Sequence, residues 1–132
     1  MDDIFLSHHN YQLQLNLLIE SDEHSIWAYL IDDTSNETIQ DGFLCSKGTI
    51  LASSTEVKSL IDSGLAPPIS QQYANQFTLQ PNIQEKDIKV NWSDETVEIL
   101  LHEVLFLRMN WQTKKSFSRS VSTPGPYGNP LN

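Results

Sequence analysis

The pattern of apolar and polar residues predicts four strands in this chain, two of which alternate with a period of two. Such alternation sends one row of side chains into a core and the other towards solvent, as in a half-buried strand. It is clearest over residues 11–20, where Leu and Ile recur between Gln, Asn and Glu. The other predicted strands cover residues 25–32, 38–46 and 86–92. Because residues 25–32 are apolar on both faces, we expect that strand in the centre of a sheet.

Two further stretches have the spacing of amphipathic helices. Residues 54–63 carry a capping box at their start and a glycine after their end. Residues 94–110 follow Ser93, a favourable N-cap residue. One face of this second helix would hold Val97, Leu100, Leu101, Val104 and Leu107. The pattern predicts an α+β fold of order β-β-β-α-β-α: a small antiparallel sheet of about four strands with one long C-terminal helix packed on one face.

Charge divides the chain into an acidic body and a basic tail. There are 17 Asp and Glu residues against 8 Lys and Arg, for a formal net charge of -9. All the acids precede residue 108, whereas half of the bases lie from Arg108 onwards. We therefore predict a single domain over residues 1–110. Residues 111–132 are predicted to form an irregular basic tail that packs back on this domain, since opposite charges on one chain attract.

Composition and charge exclude several classes of function. The acidic body would repel phosphate backbones, so we expect no nucleic-acid partner. No apolar stretch approaches the roughly 20 residues of a membrane helix, so we expect no membrane association. The acidic start, Met1-Asp2-Asp3, is unlike a secretory signal, and Cys45 alone can form neither an internal disulfide nor a structural zinc site. We expect a cytoplasmic protein without a cofactor.

The pair His102-Glu103 is the first candidate for chemistry. A zinc protease helix carries His-Glu-x-x-His, because two His residues four apart share a helical face and bind one metal ion. Phe106 occupies the second ligand position here. We therefore interpret the pair as the polar edge of a buried helix and predict no metal site.

The second candidate is Asp62-Ser63-Gly64, which follows two aliphatic residues. This stretch resembles the active-site loop of retropepsin-like aspartic proteases over the eight residues 59–66. The resemblance implies a hydrolase in which Asp62 shares a proton with a second aspartate and activates water. However, no glycine occurs between Gly64 and Gly125, so the glycine-bearing flap of that family has no counterpart. A helix C-terminus is the preferred interpretation.

These observations favour a small non-catalytic interaction module, an adaptor, inhibitor or immunity-like protein, that binds a basic protein partner. Its expected contact residues are Asp32, Asp33, Glu37, Trp92, Asp94 and Glu95. One alternative is a small-molecule-binding α+β domain with a pocket lined by Trp27, Tyr29 and Trp92. A hydrolase using Asp62 is the other. A homodimer would be one way to cover the surplus apolar face of the predicted helix 94–110.

Overall fold

The computed structural model describes residues 3–22, 24–47 and 71–131, and these form two β-sheets. Helical structure in this part of the chain is limited to two short 3₁₀ turns, Gln71–Tyr73 and Glu85–Asp87. The predicted α+β class is therefore wrong, because the long C-terminal helix does not form. The predicted helix 54–63 lies outside the described residues.

The first sheet is an antiparallel meander in which each strand pairs with the next one along the chain. Its strands are β1 (Phe5–Asn10), β2 (Leu15–Ser21), β3 (Ser25–Asp32) and β4 (Thr38–Ser46). The predicted strands 25–32 and 38–46 are confirmed with the same bounds. The strand predicted from residue 11 begins four residues later, because residues 11–14 form the turn between β1 and β2.

The second sheet contains the rest of the described strands, again in chain order. These are β5 (Ile88–Trp92), β6 (Thr96–Leu101), β7 (Val104–Asn110), β8 (Lys115–Ser118) and β9 (Asn129–Pro130). All neighbours are antiparallel except β8 and β9, which are parallel. The predicted strand 86–92 is confirmed from Ile88 onwards. Strands β8 and β9 fall within the predicted tail, while the division of the chain at residue 110 stays a prediction.

The predicted helix 94–110 is wrong, because this stretch folds as the hairpin of β6 and β7. His102 and Glu103 form its two-residue turn with φ of 49° and 67°, since Leu101 pairs directly with Val104. Two consecutive positive φ angles are the requirement of a type I′ turn. Ser93 does not cap a helix: its amide donates to the Thr96 carbonyl across the turn between β5 and β6, at 2.9 Å.

Apolar residues on both faces explain why this hairpin resembles a helix in the sequence. Strand β6 buries Val97, Ile99 and Leu101 on one face, but Leu100 between them is also only partly exposed. Strand β7 buries two consecutive residues, Phe106 and Leu107, beside a shift of register opposite Ile99 and Leu100. Apolar residues on both faces obscure the period of two, so positions three and four apart also match a helix.

The inner faces of the two sheets share one hydrophobic core, so the described residues form a β-sandwich. The sheets are in close contact at Gly42 on β4, where an added Cβ would lie 2.9 Å from Leu107 Cδ2. Hydrogen bonds also join the sheets at this edge. Gln40 Nε2 donates to the Lys115 carbonyl at 3.0 Å, and Ser116 Oγ donates to the Asp41 carbonyl at 2.8 Å.

A smaller aromatic cluster lies on the opposite side of β4. The Phe43 ring packs at 5.3 Å, between centroids, from both Trp27 and Tyr127. Tyr73 and Val121 complete this cluster, and Tyr127 is only 3% exposed. The chain after β8 therefore contacts both sheets, which fixes the segment around Tyr127 beside the outer edge of β4.

Candidate functional site

Three of the predicted contact residues lie in and beside the turn between β3 and β4. Asp32 accepts hydrogen bonds from the Thr34 hydroxyl at 2.7 Å and from the Thr34 amide at 2.9 Å. These bonds, the hydroxyl first, lower the pKa of the Asp32 carboxyl and keep it ionised. Asp33 Oδ2 lies 3.2 Å from His9 Nδ1 on β1. Glu37 is exposed to solvent, so this turn presents a negative surface.

The other predicted contact residues lie at the turn between β5 and β6. Asp94 and Glu95 are exposed, and the Glu95 carbonyl accepts a hydrogen bond from the Trp111 amide at 3.2 Å. The rings of Trp92 and Trp111 are 6.1 Å apart between centroids. Both rings pack against the shared core, so Trp92 contributes more to the sandwich than to an acidic surface.

The two acidic turns lie at the same end of the sandwich. Residues 111–114 form the neighbouring turn of the second sheet, and Lys114 borders one groove with Thr38 at the start of β4. The structure thus brings these acids to one end, since the ends of β-sandwiches gather their loops. Their role as contact residues stays a prediction.

The residues expected to line a small-molecule pocket are not brought together. Trp27 packs in the aromatic cluster beside β4, whereas Trp92 packs at the edge of the shared core, so these two do not line one pocket. Asp62 lies outside the described residues. His102 is in an exposed turn with Nδ1 3.6 Å from Asp87 Oδ1. In the described ranges, no three His, Cys, Asp or Glu side chains are arranged to hold a metal ion.

A network that the sequence did not indicate joins β1 to the turn after β3. His9 Nε2 lies 3.4 Å from Ser7 Oγ, and its Nδ1 lies 3.2 Å from Asp33 Oδ2, the order of a serine-histidine-aspartate relay. However, the Ser7 hydroxyl donates to Asn16 Oδ1 at 2.9 Å, and Ser7 and His9 lie on an exposed face. We interpret this network as a contact that orients the turn, not as an activated nucleophile.

Cys45 is likewise not a nucleophile. The thiol lies in the shared core with 0% exposure. Burial raises its pKa to about 12, because the thiolate would lose its hydration there. The thiol therefore stays protonated at neutral pH and acts as a small apolar side chain.

The surface that best fits a binding role is the outer face of the first sheet. In the strand register, Glu20 on β2 lies between Phe5 on β1 and Trp27 on β3. In the adjacent row, Tyr29 lies between Leu18 and Asp41. We call this surface the outer face and define it by Phe5, Leu18, Glu20, Trp27, Tyr29 and Asp41.

The electrostatics of the outer face are dominated by carboxylates. Partial burial raises the pKa of Tyr29, and the nearby charges of Glu20, Asp22 and Asp41 raise it further. Glu20 and Asp41 have no ion-pair partner within the described ranges. Phe5 is 62% exposed. The outer face thus offers unpaired negative charge next to partly exposed aromatic rings.

Comparison with protein-family models, with curated proteins and with solved structures finds no match to this chain. The residues that the structure describes include no helix long and apolar enough to cross a membrane. The class that the fold defines is a small two-sheet β protein, and its function has to be argued from its surfaces.

Proposed function

We propose that this protein is a non-catalytic interaction module of the cytoplasm whose outer face binds a basic segment of a partner protein. The observation that carries the proposal is the placement of the Glu20 and Asp41 carboxylates beside the rings of Trp27 and Tyr29, with no ion-pair partner for either carboxylate in the described ranges. Carboxylates and aromatic faces are the two groups that hold ammonium and guanidinium ions in proteins.

The overall charge supports a basic partner. A net charge of -9 accelerates encounters with cationic proteins and repels acidic ones. Phe5 and Tyr29 supply apolar area next to the charges, which favours a partner whose Lys or Arg residues alternate with apolar side chains. The acids of the two turns, Glu37 and Asp94 among them, would then act as a second, peripheral contact.

A set of charge-matched variants tests this assignment. Glu20→Gln with Asp41→Asn alters the outer face, and Glu37→Gln with Asp94→Asn alters the turns. The control pair, Asp3→Asn with Glu103→Gln, lies at the opposite end of the sandwich from these turns. Each variant removes two negative charges, so non-specific attraction changes equally. The tagged proteins are compared by quantitative mass spectrometry of captured lysate proteins and by titration with a labelled octaarginine peptide.

We expect the outer-face variant to lose about tenfold in affinity for the peptide, as the loss of two surface charge contacts of about 0.7 kcal/mol each implies. It should also lose the captured partner, whereas the control should retain both. If only the turn variant lost affinity for the peptide, the contact with the partner would be assigned to the turns. Equal losses in all three variants, or capture of no specific partner by the unmodified protein, would overturn the proposal.

The homodimer stays a separate prediction. The surplus apolar face of a helix over residues 94–110, which favoured a dimer, is not present, because that stretch is a hairpin within the sandwich. Analytical ultracentrifugation over a range of concentrations distinguishes a monomer from a dimer.

A further inference from the structure

A polar groove runs beside the edge strand β4, between this strand and the chain around residues 114–116 and 125–129. Its narrower part has a volume of about 210 Å³ and is bordered by Trp27, Asp41, Lys114, Lys115 and Gly128, among others. A wider, more open part of about 490 Å³ continues past Gln40 and shares Asp41 and Lys114. The groove thus contains two lysines in a protein that is acidic overall.

Lys114 and Lys115 lack the carboxylate partners that two other cations of the described chain have. Arg108 is paired with Glu98 at 2.8 Å, and Lys89 is paired with Glu103 at 3.0 Å. Neither Lys114 nor Lys115 has an ion-pair partner within the described ranges. Two unpaired ammonium groups on consecutive residues of one groove provide a place for an anion.

Two enclosed polar atoms of the same region also have no partner. Trp27 Nε1, a donor, and Gln40 Oε1, an acceptor, make no hydrogen bond in the described structure. Gln40 is only 8% exposed, and its Nε2 already donates to Ser116 Oγ at 3.1 Å. Buried polar groups in native proteins are nearly always satisfied, so a ligand or ordered water that reaches these atoms would be stabilised.

We propose that the groove binds a small carboxylate that carries a hydrogen-bond donor on the adjacent carbon, an α-amino or α-hydroxy acid. The ammonium groups of Lys114 and Lys115 bind the carboxylate, and Asp41 accepts from the donor. A simple carboxylate without the donor would be repelled by Asp41. The narrow part, of about 210 Å³, is large enough for a molecule of that size. The groove shares Trp27 and Asp41 with the outer face, but its ligand does not depend on a basic partner.

Nuclear magnetic resonance of the ¹⁵N-labelled full chain tests this site through the three indole N–H signals. Trp27 borders the groove, whereas Trp92 and Trp111 contact each other elsewhere and act as internal references. The probes are L-alanine, L-lactate and acetate at equal ionic strength, with sodium chloride as the blank. We expect a saturable shift of the Trp27 signal with alanine or lactate, with a Kd of about 1 mM or lower, and binding of acetate about tenfold weaker. Comparison of alanine with lactate identifies the preferred donor.

Matched variants assign the contacts. Lys114→Gln with Lys115→Gln should weaken the binding about tenfold, whereas Lys86→Gln with Lys89→Gln, which removes the same charge, should leave it unchanged. Asp41→Asn should reduce the preference of the groove for alanine or lactate over acetate. The inference is overturned if no saturable shift occurs, if sodium chloride produces the same shift, or if all three indole signals move together. Because Glu20→Gln alters the outer face alone, loss of peptide binding in that variant with the groove intact separates the two proposals.

Discussion

Strand β2 of the first sheet and strand β7 of the second bury their residues in different ways. In the first sheet, β2 buries alternate residues, Leu15, Leu17 and Ile19, and leaves the intervening ones on the half-exposed outer face. In the second sheet, β7 buries Phe106 and Leu107 in succession. A strand such as β2, whose apolar residues lie mainly on one face, can therefore be recognised in the sequence. A strand such as β7, with apolar residues on both faces, has the composition of a core helix.

The largest expected effect is the difference in lost stability between a variant of β7 in the shared core and a variant of β2 on the outer face. Leu107 is fully buried against Gly42 of the other sheet. Leu107→Ala should lower the free energy of unfolding by about 2–5 kcal/mol, because a cavity remains in a packed core. Leu18→Ala, on the half-exposed outer face of β2, should cost about 1 kcal/mol or less. Urea unfolding measures both, and equal losses would contradict the difference in packing.

A gain of stability is expected from substitutions in the turn between β6 and β7. His102 and Glu103 both have positive φ, which costs a residue with a side chain about 1–2 kcal/mol. Asn-Gly is the preferred pair for a type I′ turn, so His102→Asn with Glu103→Gly should raise the free energy of unfolding by about 1–2 kcal/mol. The exposed ion pair of Lys89 with Glu103, at 3.0 Å, is lost at little cost.

The same double variant decides between a turn and a helix at these residues. In a helix interior, glycine would lower stability by about 1 kcal/mol relative to a good helix former. The sign of the change in the urea midpoint is therefore the measurement. A loss of stability would contradict the hairpin, and His102→Asn alone should give part of the gain.

The smallest expected effect concerns the outer face of the first sheet. Burial, followed by the charge of Glu20, raises the pKa of Tyr29. Glu20→Gln should lower this pKa, although burial should keep it above the usual value of about 10. The ultraviolet absorbance of the phenolate during a pH titration measures the change. Glu37→Gln, in the turn between β3 and β4, should leave the pKa of Tyr29 unchanged.

The same raised pKa has a consequence for stability at alkaline pH. The unfolded chain releases the Tyr29 proton near pH 10, before the folded protein does. The tyrosine therefore contributes its full stabilisation below that pH, and the free energy of unfolding falls as the pH rises through the folded value. In the Glu20→Gln variant this fall should be smaller, because the difference between the two pKa values is smaller.

Part of the candidate site could be predicted from the sequence. The richness of residues 25–32 in Ile, Trp and Tyr identifies β3, and strand geometry places residues two apart, here Trp27 and Tyr29, on the same face. It does not reveal that Glu20 is the neighbour of Trp27, or Asp41 that of Tyr29, because cross-strand neighbours depend on register. The sequence therefore indicates only the acids of the turns, where exposure is easiest to predict, and their role as contact residues stays a prediction.

By itself, the sequence determined the strands β3 and β4, the turn between them and the excess of negative charge, since each of these follows from local pattern and composition. Only the tertiary structure decided that Leu100 to Trp111 belongs to a hairpin, that Lys114 and Lys115 border a groove beside β4, and that Tyr127 joins an aromatic cluster. Those features depend on which segments pack on which. The residues of a face do not indicate which distant part of the chain will bury it.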